Sequence, residues 1–85
     1  MDKNTFYNRY IKVQSANYGL DTLSYSLEGN IFRASFKLDG ESYNIHLTVD
    51  LKNPVFQLLQ DSDYGATLYE GVGFGNAVEN LLMNS

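Results

Sequence analysis

Three runs between Leu23 and Val49 alternate apolar and polar side chains with a period of two, and this pattern confines the chain to folds built on antiparallel strands. Leu23, Tyr25 and Leu27 alternate with Thr22, Ser24 and Ser26. Phe32, Ala34, Phe36 and Leu38 alternate with Arg33, Ser35 and Lys37, and Tyr43, Ile45, Leu47 and Val49 with Asn44, His46 and Thr48. Successive strand side chains point to opposite faces, so each run carries one oily face and one polar face. The runs are separated by Gly29-Asn30 and Asp39-Gly40, pairs favoured in two-residue hairpin turns because positive φ matches the strand twist. Counting outward from the first turn sets Glu28 opposite Ile31, Leu27 opposite Phe32, Tyr25 opposite Ala34 and Leu23 opposite Phe36. Counting from the second sets Phe36 opposite Tyr43, Ala34 opposite Ile45 and Phe32 opposite Leu47. Every apolar residue then shares a face, which a slip of one residue would undo. A three-stranded meander over about residues 21 to 50 is expected, needing a helical cover on its apolar side.

Residues 5 to 18 read as a helix, with Phe6, Tyr7, Tyr10, Ile11 and Val13 on one broad face, Asn4 or Thr5 as cap and Gly19 as terminator. Beyond Val49, Asn53-Pro54-Val55-Phe56 reads as a helix start, with Asn53 capping and Pro54 at the first helical position, running to about Gln60. Asp61-Ser62-Asp63-Tyr64-Gly65 breaks it, residues 66 to 70 read as a short strand or loop, and a last helix is expected from near Asn76, burying Ala77, Val78, Leu81 and Leu82. The expected class is therefore α+β: an N-terminal helix, a three-stranded antiparallel meander, and one or two C-terminal helices packed on one sheet face, all in a single domain over residues 1–85.

A chain of 85 residues buries only about 60–65 % of its unfolded surface, which makes a deep enclosed active site hard to build. With 44 % hydrophobic residues and twelve aromatics, seven Tyr and five Phe, it has the material for a packed core. It contains no cysteine, which excludes disulfides, thiolate zinc sites and thiol nucleophiles. Met1-Asp2-Lys3-Asn4 does not open an apolar leader, and no run of eighteen apolar residues occurs, so a soluble, cytoplasmic protein with no membrane association is expected.

Charge is segregated along the chain. Residues 1–52 balance six acids against six bases, whereas Asp61, Asp63, Glu70 and Glu79 follow Lys52 with no cation among them, so the net charge of −4 sits in the final third. Carboxylates interleaved with aromatics suit a basic groove on another protein, because the charge steers encounter and the rings supply contact area. The candidate partner-binding set is Asp61, Asp63, Tyr64, Tyr69, Glu70, Phe74 and Glu79. It implies a small non-enzymatic interaction protein, an inhibitor or regulator of a partner with a basic surface. Arg33, Lys37 and His46, on the polar face of the expected sheet, form an alternative site for an anion or nucleic acid. A third expectation is self-association through the sheet or its edge, leaving monomer or homodimer open.

Other motifs fail on their chemistry. Gly71-Val72-Gly73-Phe74-Gly75 resembles a phosphate-cradling loop, but Asn76 stands where a third glycine belongs and no Gly-Lys-Ser/Thr follows. Asp61, Asp63 and Gly65 open like a calcium loop, yet Gly65, Ala66 and Val72 occupy positions requiring a ligand, a glycine and a glutamate. His46 is the only histidine, which excludes a histidine metal cluster; no metal or cofactor is expected. Ser24, Ser26 or Ser35 beside His46 suggests nucleophilic catalysis, but an exposed sheet face offers neither a dry cleft nor oxyanion donors.

The order helix, meander, helix is similar to the double-stranded-RNA-binding domain, whose lysine cluster at the start of the last helix has no counterpart in Gly75-Asn76-Ala77-Val78-Glu79-Asn80; the resemblance implies topology, with nucleic acid an unlikely partner. Order, size and acidity together also look like some small phage-encoded inhibitors, including anti-CRISPR proteins, which implies a protein partner and no catalysis.

Overall fold

The structure, a computed structural model, describes residues 1–41, 44–62 and 65–84, without the side chains of Pro54 and Ser62. It has two layers. A five-stranded antiparallel sheet in sequential order comprises β1 (Leu20–Glu28), β2 (Ile31–Leu38), β3 (Asn44–Asp50), β4 (Asn53–Ser62) and β5 (Gly65–Val72). One sheet face carries an N-terminal helix and a C-terminal helix, α3 (Phe74–Asn84); the N-terminal helix consists of α1 (Lys3–Phe6), a π-helical segment (Tyr7–Ile11) and α2 (Lys12–Asn17).

The helix begins earlier than the sequence suggested, because Asp2 caps it: its carboxylate accepts a hydrogen bond from the Thr5 backbone N–H at 2.8 Å. That backbone bond favours the ionised form and holds the Asp2 carboxyl below its ordinary value. The π segment then changes which side chains face inward. The Lys12 N–H bonds to the Tyr7 carbonyl, five residues back, and the widened turn delays the next inward position by one residue. Phe6, Ile11 and Ser15 are buried, while Tyr10 and Val13, expected on the same face as Phe6, are 43 % and 65 % exposed. The buried Ser15 hydroxyl is satisfied by donating to the Lys12 carbonyl at 2.9 Å. Gly19 ends the helix at φ 74°, as expected of a left-handed terminator.

In the first hairpin, Glu28 pairs with Ile31, Leu27 with Phe32 and Tyr25 with Ala34 across the Gly29-Asn30 turn, as the alternation requires. The expected pairing of Leu23 with Phe36 does not form. A bulge between Thr22 and Ser24 makes Leu23 the extra residue, places Thr22 opposite Phe36 and leaves Leu23 56 % exposed. Thr22 turns to the helix side, where its hydroxyl meets that of Tyr7 at 2.8 Å. In the second pair Phe36 faces Ile45, Ala34 faces Leu47 and Phe32 faces Val49, two residues beyond the expected register. A shift by an even number keeps every side chain on its face. The expected partner of Phe36, Tyr43, lies outside the described residues.

The three-stranded expectation is overturned in the second half, where the sheet has five strands and is followed, of the one or two C-terminal helices expected, by one. The segment expected as a helix from Asn53 is β4, and the doubtful segment after Gly65 is β5. Two physical reasons stand out. A three-stranded sheet would leave the apolar β3 as an edge, and β4 satisfies its outer backbone groups. The proline is also tolerated: pairing passes from Val49 with Phe56 to Asp50 with Asn53, so Pro54 and Val55 have no β3 partner and the missing N–H falls at an interruption of the ladder. The last helix starts at Phe74, two residues before the expected Asn76. The similarity to the double-stranded-RNA-binding topology ends with the meander.

The core lies between the layers. Phe32, Phe36, Ile45, Leu47 and Leu58 from the sheet meet Phe6 and Ile11 from the N-terminal helix and Phe74, Ala77, Val78 and Leu81 from α3, all at most 5 % exposed. The Phe6 ring lies 4.6 Å from Phe32, and Phe74 lies 5.7 Å from Phe36. The C-terminal end of the first helix is tied to the middle of α3 by the Tyr18 hydroxyl, which donates to Glu79 Oε1 at 2.7 Å.

Candidate functional site

Strand pairing resolves the other sheet face into rows running across the strands. One row reads Ser26, Arg33, Thr48, Gln57, Glu70; the next reads Ser24, Ser35, His46, Leu59, Leu68; the third reads Asp21, Lys37, Asn44, Asp61, Ala66. No described helix covers this face. Leu59 and Leu68 are 36 % and 50 % exposed there, an apolar stripe across β4 and β5 flanked by the charged rows. The cations Arg33 and Lys37 stand on β2, the carboxylates Asp61 and Glu70 on β4 and β5. Gln57 donates toward Glu70 Oε1 at 3.5 Å, a long contact that orients the carboxylate only loosely.

This arrangement redistributes the residues that the sequence singled out. Asp61 and Glu70 share the uncovered face, together with all three of Arg33, Lys37 and His46. Tyr69 points to the helix side and packs half-buried against the core. Phe74 is a core residue, 2 % exposed, and Glu79 sits on α3, engaged by Tyr18. Asp63 and Tyr64 lie outside the described residues. The described members of the acidic, aromatic set therefore occupy both sides of the molecule, whereas the acidic and basic candidates meet on one. Sequence alone hides the leucine stripe, because adjacent Leu58 and Leu59 also fit the expected helix; the signal that separates them is the alternation of Phe56, Leu58 and Gln60 with Gln57, Leu59 and Asp61.

Chemistry elsewhere is sparse. The Ser35 hydroxyl lies 3.1 Å from His46 Nδ1, but among the described residues no carboxylate hydrogen-bonds to the imidazole, and the pair stands on an open sheet. No cluster of three or more His, Asp or Glu suited to a metal ion occurs among the described residues. A hollow of about 470 Å³ opens between the helices, lined by Phe6, Tyr10, Leu51, Phe56, Val72 and Phe74 among others. Asp50 is the one charged side chain among its described lining residues, and it accepts the Lys52 backbone N–H at 2.9 Å, so the described lining is mainly apolar and offers few of the convergent polar groups that orient a ligand. No helix among the described residues is long and apolar enough to cross a membrane.

Compared with known protein families, with curated proteins and with solved structures, the chain matches none.

Proposed function

We propose that this protein is a small non-enzymatic interaction module that docks on another protein through the uncovered face of its sheet, acting by occupancy. One observation carries the reading: the helices seal one side of the sheet, while the other exposes Leu59 and Leu68 beside Asp61 and Glu70. Contiguous apolar surface rimmed by charge is costly to leave in water and marks contact sites. In this reading Asp61 and Glu70 meet cations on the partner, and Phe74, Tyr69 and Glu79, placed in or against the helical layer, lie outside the contact.

A photo-crosslinking residue placed at Leu68 in cells producing the protein is expected to form protein adducts, whereas one at Met83, 81 % exposed on α3, forms few. Adducts from Met83 in equal yield, or none from Leu68, would overturn the reading.

The clustering of Arg33, Lys37 and His46 favours a second reading, an anion-binding module. Here Asp61 and Glu70 share their rows and oppose phosphate approach. Titration with inorganic phosphate and with single-stranded and duplex oligonucleotides at low salt separates the readings, since this one requires saturable binding that weakens steeply with salt.

A further inference from the structure

We infer that the protein docked on the uncovered face is a second copy of this chain, related by a two-fold axis running along β3. The inference rests on the docking reading above and names its partner. β3 is the middle strand of five, so rotation about an axis along it sets β2 of one copy over β4 of the other, β1 over β5, and leaves each row level with itself. Sheets packed face to face lie about 10 Å apart with strands within about 30° of parallel, which such an axis permits.

The consequences can be read residue by residue. Lys37 and Asp61 share a row, on either side of Asn44, so Lys37 of each copy comes over Asp61 of the other. Arg33 comes over Gln57, with Glu70 in reach one strand outward. In the middle row Ser35 comes over Leu59 and Ser24 over Leu68, setting large side chains against small, while His46 meets its own copy on the axis. Cations meet carboxylates and knobs meet hollows in one operation, which a self-complementary interface requires. The other face-to-face choice, an axis perpendicular to the strands, stacks β2 on β2 and sets Arg33 over Lys37, cation on cation. The acidic and basic sites suggested by the sequence become two halves of one contact.

Sedimentation equilibrium and light scattering from about 1 µM to about 1 mM test this, with circular dichroism confirming that each variant is folded; weak, reversible interfaces fall in that range. The wild-type chain is expected to pass from monomer to dimer. Lys37→Asp, which sets Asp against Asp61 twice per dimer, is expected to weaken dimerisation about 10-fold or more, as is Asp61→Lys, and the double exchange to recover to within about 3-fold. Leu59→Glu with Leu68→Glu abolishes the dimer. A wild-type chain that stays monomeric overturns the second-copy inference and leaves the docking face to the crosslinking result. A dimer strengthened by Lys37→Asp overturns the axis, because only the cation-on-cation arrangement gains from it. A dimer indifferent to all these variants also overturns the second-copy inference, since the copies then meet elsewhere, at the β1 or β5 edge, and it likewise leaves the docking face to the crosslinking result.

Discussion

Replacing Gly71 by alanine should loosen the C-terminal helix from the sheet. Gly71 lies on the helix side of β5 opposite Phe56, and the first turn of α3 rests directly on it. A methyl group there would stand 2.7 Å from the Asn76 carbonyl carbon and 2.9 Å from Ala77 Cα, and closer still to the Ala77 nitrogen. Ordinary contact begins near 3.4 Å, so the Asn76 backbone must retreat by at least the 0.7 Å between 2.7 and 3.4 Å. Backbone cannot rotate out of the way as a side chain can. The helix also cannot drift freely, because Phe74, Ala77, Val78 and Leu81 anchor it at 2 % exposure or less. Overpacking of this kind costs about 1–3 kcal/mol. Loss of glycine's freedom in the unfolded chain returns about 0.5–1 kcal/mol, leaving a net loss of about 1–2 kcal/mol. For a domain of this size that lowers the melting temperature by about 5–15 °C. Gly75→Ala is the control: its methyl meets the end of the Gln14 side chain, which can move, and alanine is the better helix former by about 1 kcal/mol. Urea and thermal unfolding followed by circular dichroism should show Gly71→Ala destabilised and Gly75→Ala neutral or stabilised. Equal stability of Gly71→Ala and the wild type would refute the packing argument.

Leu23→Thr should change stability by less than about 0.5 kcal/mol in urea unfolding, because the bulge expels Leu23; a loss of about 2 kcal/mol or more would place it in the core and abolish the bulge. Gln60→Met should stabilise by about 1 kcal/mol, since Gln60 Oε1 is buried with no partner among the described residues, and a clear loss would show that the amide is satisfied. The hydrogen bond to Glu79 raises the Tyr18 phenol above its ordinary value near 10, so its contribution to stability is complete below pH 10 and lost as pH rises through the raised value. The stability difference between wild type and Tyr18→Phe should therefore shrink above pH 10, and a difference constant to pH 11 would contradict the assignment.

The chain states its local rules openly and its long-range ones poorly. The first hairpin could be read to the residue from Glu28 back to Tyr25 because turn and alternation act together over a few positions. The bulge at Leu23 could not, since the polar Thr22 turns inward only where Tyr7 offers it a hydroxyl, fifteen residues away. The π segment hid in the same way: Phe6 and Tyr10 have helical spacing, and burial of Ile11 is what selects the wider turn. β4 departs from its expected helix for a different reason. Asn53-Pro54 satisfies the local chemistry of a helix start, and Val55-Phe56-Gln57-Leu58-Leu59-Gln60 fits either period. What decided it was the need of β3 for a partner, a demand invisible within ten residues. The site followed the fold. Asp61, Glu70, Arg33, Lys37 and His46 were legible as charged candidates, but their shared face exists only once five strands are counted, and the same count sends Tyr69 and Glu79 to the other side and Phe74 into the core.

The account depends on the bare side of the sheet being the working surface, and amide and methyl chemical shifts recorded while the protein is concentrated from about 10 µM to about 1 mM test this residue by residue. Signals of Lys37, His46, Leu59, Asp61 and Leu68 should move together along one saturating curve while Val78, Asn80 and Met83 stay still. Shifts concentrated on α3, or on the N-terminal helix, would contradict it.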